Sequence, residues 1–219
     1  MKKHILCFGD SNTHGYCADP TDCADGGNRF NESERWTCLL QQGLGNDYLV
    51  IEEGLNGRTS VFDDPLQEDR SGLQAMYTCL MSHEPIDLMI LMLGTNDTCE
   101  RYGVSASGIA LGLHRLIQKA KSVRDVWAND TPNILVVCPP HISPDLYKAP
   151  EGYVLGQGCP EKSQMLAAIL GPIAQAVGCS FLDAEGKVEM NHKDCLHFTK
   201  QGHRQMADLM LDLVPKLVK

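Results

Sequence analysis

Apolar runs of strand length alternate with stretches of helical period along nearly the whole chain, and this alternation limits the possible folds more than any other feature. Five short segments rich in Val, Ile, Leu and Phe recur at 4–8, 48–52, 86–93, 133–138 and 180–182. Between them, apolar residues return every three or four positions. Ile109, Leu113, Leu116, Ile117 and Ala120 fall on one helical stripe, and Met206, Leu209, Met210, Leu213 and Leu217 on another. Weaker helical patterns cover about 34–45, 71–83 and 161–177, and Thr199 is placed to cap the last helix. Strands that alternate with helices predict a parallel sheet with both faces covered, because a parallel neighbour is reached only through a long crossover. "IDLMILML" at 86–93 reads as the most deeply buried strand, apolar on both faces apart from Asp87. The Met and Leu stripes are core rather than a cofactor box.

At 219 residues the chain is long enough for a full core, and a single domain over 1–219 is expected. Hydrophobic residues at 43% and charged residues at 21% argue against disorder. A formal charge of −9, with no run of Lys and Arg, disfavours a nucleic-acid partner or an anionic membrane. The apolar stretch Ile5–Phe8 is too short for the core of a signal peptide, and no stretch approaches the ~20 apolar residues of a membrane span. The ten cysteines form no C-x-x-C pair and have no histidines at zinc-finger spacing. A reduced, cytoplasmic protein without a disulfide framework is the expectation.

In open parallel sheets, ligands bind outside the carboxyl ends of the strands. Those ends read Gly9-Asp10-Ser11-Asn12, Gly54-Leu55-Asn56-Gly57-Arg58-Thr59, Gly94-Thr95-Asn96-Asp97 and Pro139-Pro140-His141, with Asp194-Cys195-Leu196-His197-Phe198 following the fifth strand. One rim thus gathers the parts that acyl transfer needs. A serine hydroxyl becomes a nucleophile when a histidine takes its proton, and a carboxylate three residues before that histidine can orient it. Backbone N–H groups and an asparagine amide can receive the oxyanion, each typically contributing ~10²–10³ in rate. Plainer roles compete at several positions. Ser11 is also a natural helix cap, and Asp97 reads as a helix N-cap. His14 is a rival base and Asp183 a rival acid, while His192 and His203 read as surface or loop residues. Cys195 reads as a buried, inert thiol. Arg58 and Arg70 could meet an anionic substrate group, and Trp36 is divided between pocket and core.

"GDS" at Ser11, "GRT" with Gly57, "GTND" with Asn96 and "DCLH" before the last helix resemble, in order and over nearly the whole chain, the four sequence blocks of the SGNH (GDSL-type) hydrolases. "RW", "EEGLNGRT", "DDP", "MLGTNDT" and "HFT" resemble the arylesterase and acyltransferase branch of that family. The resemblance implies a flavodoxin-like three-layer α/β/α sandwich with a five-stranded parallel sheet. It implies Ser11 as nucleophile, His197 as base and Asp194 as its partner. Ser11, Gly57 and Asn96 would form the oxyanion hole, with no metal and no organic cofactor. Where many members carry Leu, this chain has Asn12, followed by His14. A more polar pocket mouth is therefore expected, with Asp10, Asn12, His14, Tyr16 and Trp36 as pocket residues and a small acyl group preferred over a long one.

The expected activity is a serine esterase acting on acetyl-like esters of aryl or carbohydrate alcohols through an acyl-enzyme, with transfer to another alcohol as an added capacity. A thioesterase or lysophospholipase-type hydrolase and a silent flavodoxin-like binding module stand as alternatives. The partner is a small-molecule ester. The long Pro- and Gly-containing stretch at 139–160 is expected to form a pocket wall or an oligomer contact, and with the resemblance it points to a homo-oligomer.

Overall fold

A computed structural model describes residues 1–218. The five strands β1 (Lys3–Gly9), β2 (Tyr48–Gly54), β3 (Leu88–Met92), β4 (Ile134–Cys138) and β5 (Ser180–Asp183) lie in the order β2-β1-β3-β4-β5. Every neighbouring pair is parallel. The helices are α1 (Ser11–His14), α2 (Trp36–Leu44), α3 (Gly72–Ser82), α4 (Ala106–Ser122), α5 (Glu151–Leu155), α6 (Cys159–Ala176) and α7 (Lys200–Leu217). This is the flavodoxin-like strand order, whose direction of build-up reverses between β1 and β3.

The period-2 geometry of strands explains how one apolar run feeds two cores. Leu6, Phe8, Met89, Leu91, Ile134 and Val136 point to one face, where they pack with residues of α3, α4 and α6. Ile5, Cys7, Leu88, Ile90, Leu135 and Val137 point to the other, against Trp36 and Leu40 of α2 and Met206, Met210 and Val214 of α7. All five residues of β3 are buried, as the unbroken run at 86–93 predicts. Two of the longer helices are capped by side chains at their starts. Ser105 accepts from Gly108 N–H to cap α4, and Thr199 accepts from Gly202 N–H to cap α7.

The two irregular stretches are both folded down. Residues 139–160 contain a 3₁₀ turn at Pro144–Lys148 and the short helix α5. Ile142, Leu146 and Cys159 pin them to Cys195 and Leu196. The loop from 17 to 33 closes over Cys17, Cys23 and Phe30. Beneath it the Glu34 carboxylate accepts from Ala24 N, Asn31 N and Lys200 Nζ. All ten cysteines are free thiols. Among the described residues no helix is long and apolar enough to cross a membrane.

Candidate active site

The register sets the site. Gly9 ends β1 opposite Gly54 of β2 and Met92 of β3, so three strand ends converge where the build-up reverses. A side chain at Gly9 would strike Thr13, and one at Gly54 would strike the backbone at Thr13 and His14. Both glycines let the chain fold straight back over the sheet edge as α1. The cap of α1 is Asp10, whose carboxylate accepts from Asn12 N at 3.0 Å. The sequence offers Ser11 for that role; because Asp10 holds it, the Ser11 hydroxyl has another partner.

That partner is His197, whose Nε2 lies 2.8 Å from Ser11 Oγ. On the other edge of the ring, Nδ1 lies 2.6 Å from Asp194 Oδ2. Asp194 Oδ1 accepts from Leu196 N at 3.1 Å and His197 N at 3.2 Å, so the carboxylate and the imidazole belong to one tight turn. Burial opposes ionisation of Asp194, but the His197 ring and those two N–H groups outweigh it and hold its carboxyl below the ordinary value. The Tyr16 ring lies tilted against the imidazole, with centroids 4.5 Å apart.

Gly57 and Asn96 face the same cavity as Ser11 and His197. Gly57 has φ of 77°, a left-handed conformation that a residue with a Cβ adopts only under strain. Asn96 Nδ2 donates one of its two N–H groups to Arg58 O at 3.0 Å, which fixes the plane of the amide. Asp97 is not the helix cap that its sequence suggests. It is fully buried and accepts from Ser60 N at 3.0 Å and from the Ser60 hydroxyl, tying the "GRTS" turn to the "GTND" turn. Burial pushes its carboxyl up to about 6.

Residues 7–205 match the profile of the GDSL-like Lipase/Acylhydrolase family. The chain belongs to this family. An aryl esterase from M. smegmatis is 34% identical with a TM-score of 0.87, over 99% of this chain and 100% of that one. Est24, a carbohydrate acetylesterase from Sinorhizobium meliloti, is 30% identical with a TM-score of 0.86, over 99% and 100% of the two chains. A lipase/acylhydrolase from Enterococcus faecalis, 15% identical with a TM-score of 0.65 over 99% and 97%, shares the fold. No curated protein gives a significant match.

In this GDSL-family chain the cavity at Ser11 has a volume of about 380 Å³. Asn56, Gln67 and Arg70 give it a polar wall, and Val154, Leu155 and Leu196 an apolar one. Arg101 closes the rim by pairing with Asp64 at 2.9 Å and donating to Val154 O at 2.9 Å, which links the "DDP" loop to α5. Val154 and Leu155 lie in the 139–160 stretch, so that segment does contribute a pocket wall. Arg70 lines the cavity and donates to Asn56 O at 2.6 Å. Arg58 does not: it is buried over the Phe8 ring and donates to Gly9 O and Glu53 O.

Of the five expected pocket residues, only Tyr16 lines the cavity. Asp10 is 1% exposed beneath α1, and burial raises its carboxyl to about 6. Asn12 turns inward, donating to Leu196 O at 3.0 Å and accepting from Phe198 N at 2.9 Å. It therefore braces the histidine segment rather than making the mouth polar. His14 sits over Gly54, its carbonyl accepting from Arg29 Nε, away from the cavity. Trp36 is core, 1% exposed, with its indole N–H on Asn12 O at 3.0 Å. Asp183 accepts from Glu185 N and only shapes the turn after β5. Cys195 is buried, as its sequence reading has it.

His203 corrects another expectation, because it is wholly buried rather than on the surface. It packs edge-on to Phe30 and Phe198 and accepts from Trp36 N at 3.3 Å. Burial first, then the proximity of His197 and Arg35, push its pKa down to about 3. Between the ordinary value near ~6.5 and that depressed one, the unfolded chain binds a proton that the folded chain does not. Stability from this residue is complete above that window and is lost as pH falls through it. Going from pH 7 to pH 5 therefore costs about 2 kcal/mol through this group. In urea unfolding at the two pH values, His203→Gln is expected to lower the acid-induced loss by that amount, and an identical loss in both proteins would contradict the assignment.

Proposed function

We propose that this protein is a serine esterase for small acyl esters of aryl or carbohydrate alcohols, with Ser11 as nucleophile, His197 as base and Asp194 as the group that orients the base. The supporting observation is the unbroken chain of short contacts, 2.8 Å from Ser11 Oγ to His197 Nε2 and 2.6 Å from His197 Nδ1 to Asp194. With the ring proton on Nδ1 facing Asp194, Nε2 accepts the Ser11 proton as Oγ attacks the ester carbonyl. The oxyanion is received by the N–H groups of Ser11 and Gly57 and by the free N–H of the Asn96 amide. His197 returns the proton to the departing alcohol. Water then follows the same path to release the acid from Ser11.

Two features favour a small substrate. The cavity volume of about 380 Å³ lies toward the low end of the ligand-pocket range. Its polar wall of Asn56, Gln67 and Arg70 suits hydroxyl-bearing or aryl alcohols better than a long alkyl chain. The names of the M. smegmatis and S. meliloti relatives agree with that substrate class. Val154, Leu155 and Leu196 give an acceptor alcohol an apolar surface on which to displace water, which favours acyl transfer as a second outcome of the same intermediate.

Rapid mixing with p-nitrophenyl acetate is expected to release about one equivalent of nitrophenol per active chain before steady turnover. A fluorophosphonate should add its phosphonyl mass to the peptide carrying Ser11. A chain that is neither labelled nor shows a burst is a binding module, and the esterase reading then fails.

A further inference from the structure

Away from the cavity, one cluster holds donor chemistry that ester cleavage does not use. Glu53 lies near the end of β2, Cys79 lies on α3, and His83 is the residue that closes α3. Cys79 and His83 are four positions apart at the end of α3, and the His83 ring reaches Glu53 on the edge strand β2. One donor atom from each residue, a carboxylate oxygen, the thiol sulfur and an imidazole nitrogen, lies within 4.8 Å of the other two. His83 Nε2 and Glu53 Oε1 are already 2.7 Å apart. None of the three lines the cavity at Ser11.

We propose that Glu53, Cys79 and His83 form a binding site for a divalent transition-metal ion of the zinc type, separate from the site of acyl transfer. The donor set decides the class of ion. One sulfur, one imidazole nitrogen and one carboxylate oxygen suit Zn²⁺ or Co²⁺, whereas Mg²⁺ and Ca²⁺ require oxygen shells. Around a tetrahedral ion with bonds of ~2.0–2.3 Å, donor atoms stand about 3.3–3.8 Å apart. His83 and Glu53 stand closer than that at 2.7 Å and no pair stands beyond 4.8 Å, so side-chain rotations are enough to seat the three donors around an ion. The side chains of His83 and Glu53 are 28% and 30% exposed, which gives an ion a route in and leaves water as the fourth ligand. Glu53 Oε2, the oxygen not paired with His83, faces Arg58 Nη2 at 4.0 Å. On binding, the Cys79 S–H bond breaks, its proton goes to solvent and the sulfur ligates as thiolate. His83 ligates as the neutral ring, and no electron changes hands.

The test uses the full chain stripped of metal by dialysis. Zn²⁺ is titrated against a chromophoric chelator, and Co²⁺ is added separately to record its absorption spectrum. One equivalent of Zn²⁺ per chain is expected, with a thiolate-to-cobalt charge-transfer band in the Co²⁺ complex and no competition from excess Mg²⁺. His83→Gln, at a partly exposed position whose circular dichroism should match the parent, is expected to weaken Zn²⁺ binding by about tenfold or more, the scale set by losing even an outer partner. Cys79→Ser should abolish the charge-transfer band. Absence of binding, a cobalt spectrum without the thiolate band, or unchanged affinity in His83→Gln each overturns the proposal, the last by placing the ion on other thiols or imidazoles.

Discussion

Replacing Ser11 by Ala is expected to lower turnover of p-nitrophenyl acetate by about 10⁴-fold or more while the protein stays folded. The size follows from what remains. Without Oγ no acyl-enzyme forms, and the oxyanion donors can assist only a water molecule that nothing has positioned. Folding should be spared because the cap of α1 comes from Asp10 and not from Ser11. Steady-state rates with circular dichroism on the same samples check both halves. Turnover within tenfold of the parent would exclude Ser11 as nucleophile and turn attention to Cys99, whose side chain borders the same cavity.

Asp194→Asn is expected to reduce turnover by about 10⁴-fold with the geometry nearly unchanged. The direction of the new amide is dictated by its surroundings. Oδ1 accepts two backbone N–H groups, from Leu196 and His197, so the amide oxygen must occupy that position. The NH₂ then faces Nδ1 of His197, a donor where an acceptor stood. Nδ1 must give up its proton to accept from it. The remaining ring proton moves to Nε2, which can no longer take one from Ser11. Rates of ester cleavage and of fluorophosphonate labelling should fall together, because both need the Ser11 proton removed. Near-parental labelling with slow ester turnover would mean that Asp194 acts after the nucleophile is formed.

Much of the fold is legible in the sequence because each strand and each long helix carries its own periodic signal. The run at 86–93 and the stripes at 109–120 and 206–217 need no distant partner to be recognised. The Ser11, Gly57, Asn96 and Asp194–His197 segments are legible for a related reason: each is a short local motif at a strand end or before a helix, and the α/β order brings such ends to one rim. Side-chain direction is less accessible. Asn12 and His14 follow the serine, yet α1 turns one into the protein and the other toward Gly54 and Arg29. Asp97 gives a local cap signal, but its hydrogen bonds go to Ser60, 37 positions away. His203 falls on the same helical stripe as Met206 and Met210, but a histidine at its end does not announce burial, which Phe198 and Phe30 from the 17–33 loop complete. The walls at Asn56, Gln67, Arg101 and Val154 come from irregular segments that carry no period. The "EEGLNGRT", "DDP" and 139–160 segments mark the places from which those walls come.

Asn12 grips the backbone on both sides of His197, at Leu196 and Phe198, which lie 184 and 186 positions further along the chain. During synthesis the serine leaves the ribosome well before the imidazole, which follows it by 186 positions. On the proposed mechanism, until that later segment docks against Asn12 the Ser11 hydroxyl has no proton acceptor and is no more reactive than an ordinary alcohol. Reactivity thus waits for the histidine turn to fold, and a chain cut short before that turn should leave esters intact.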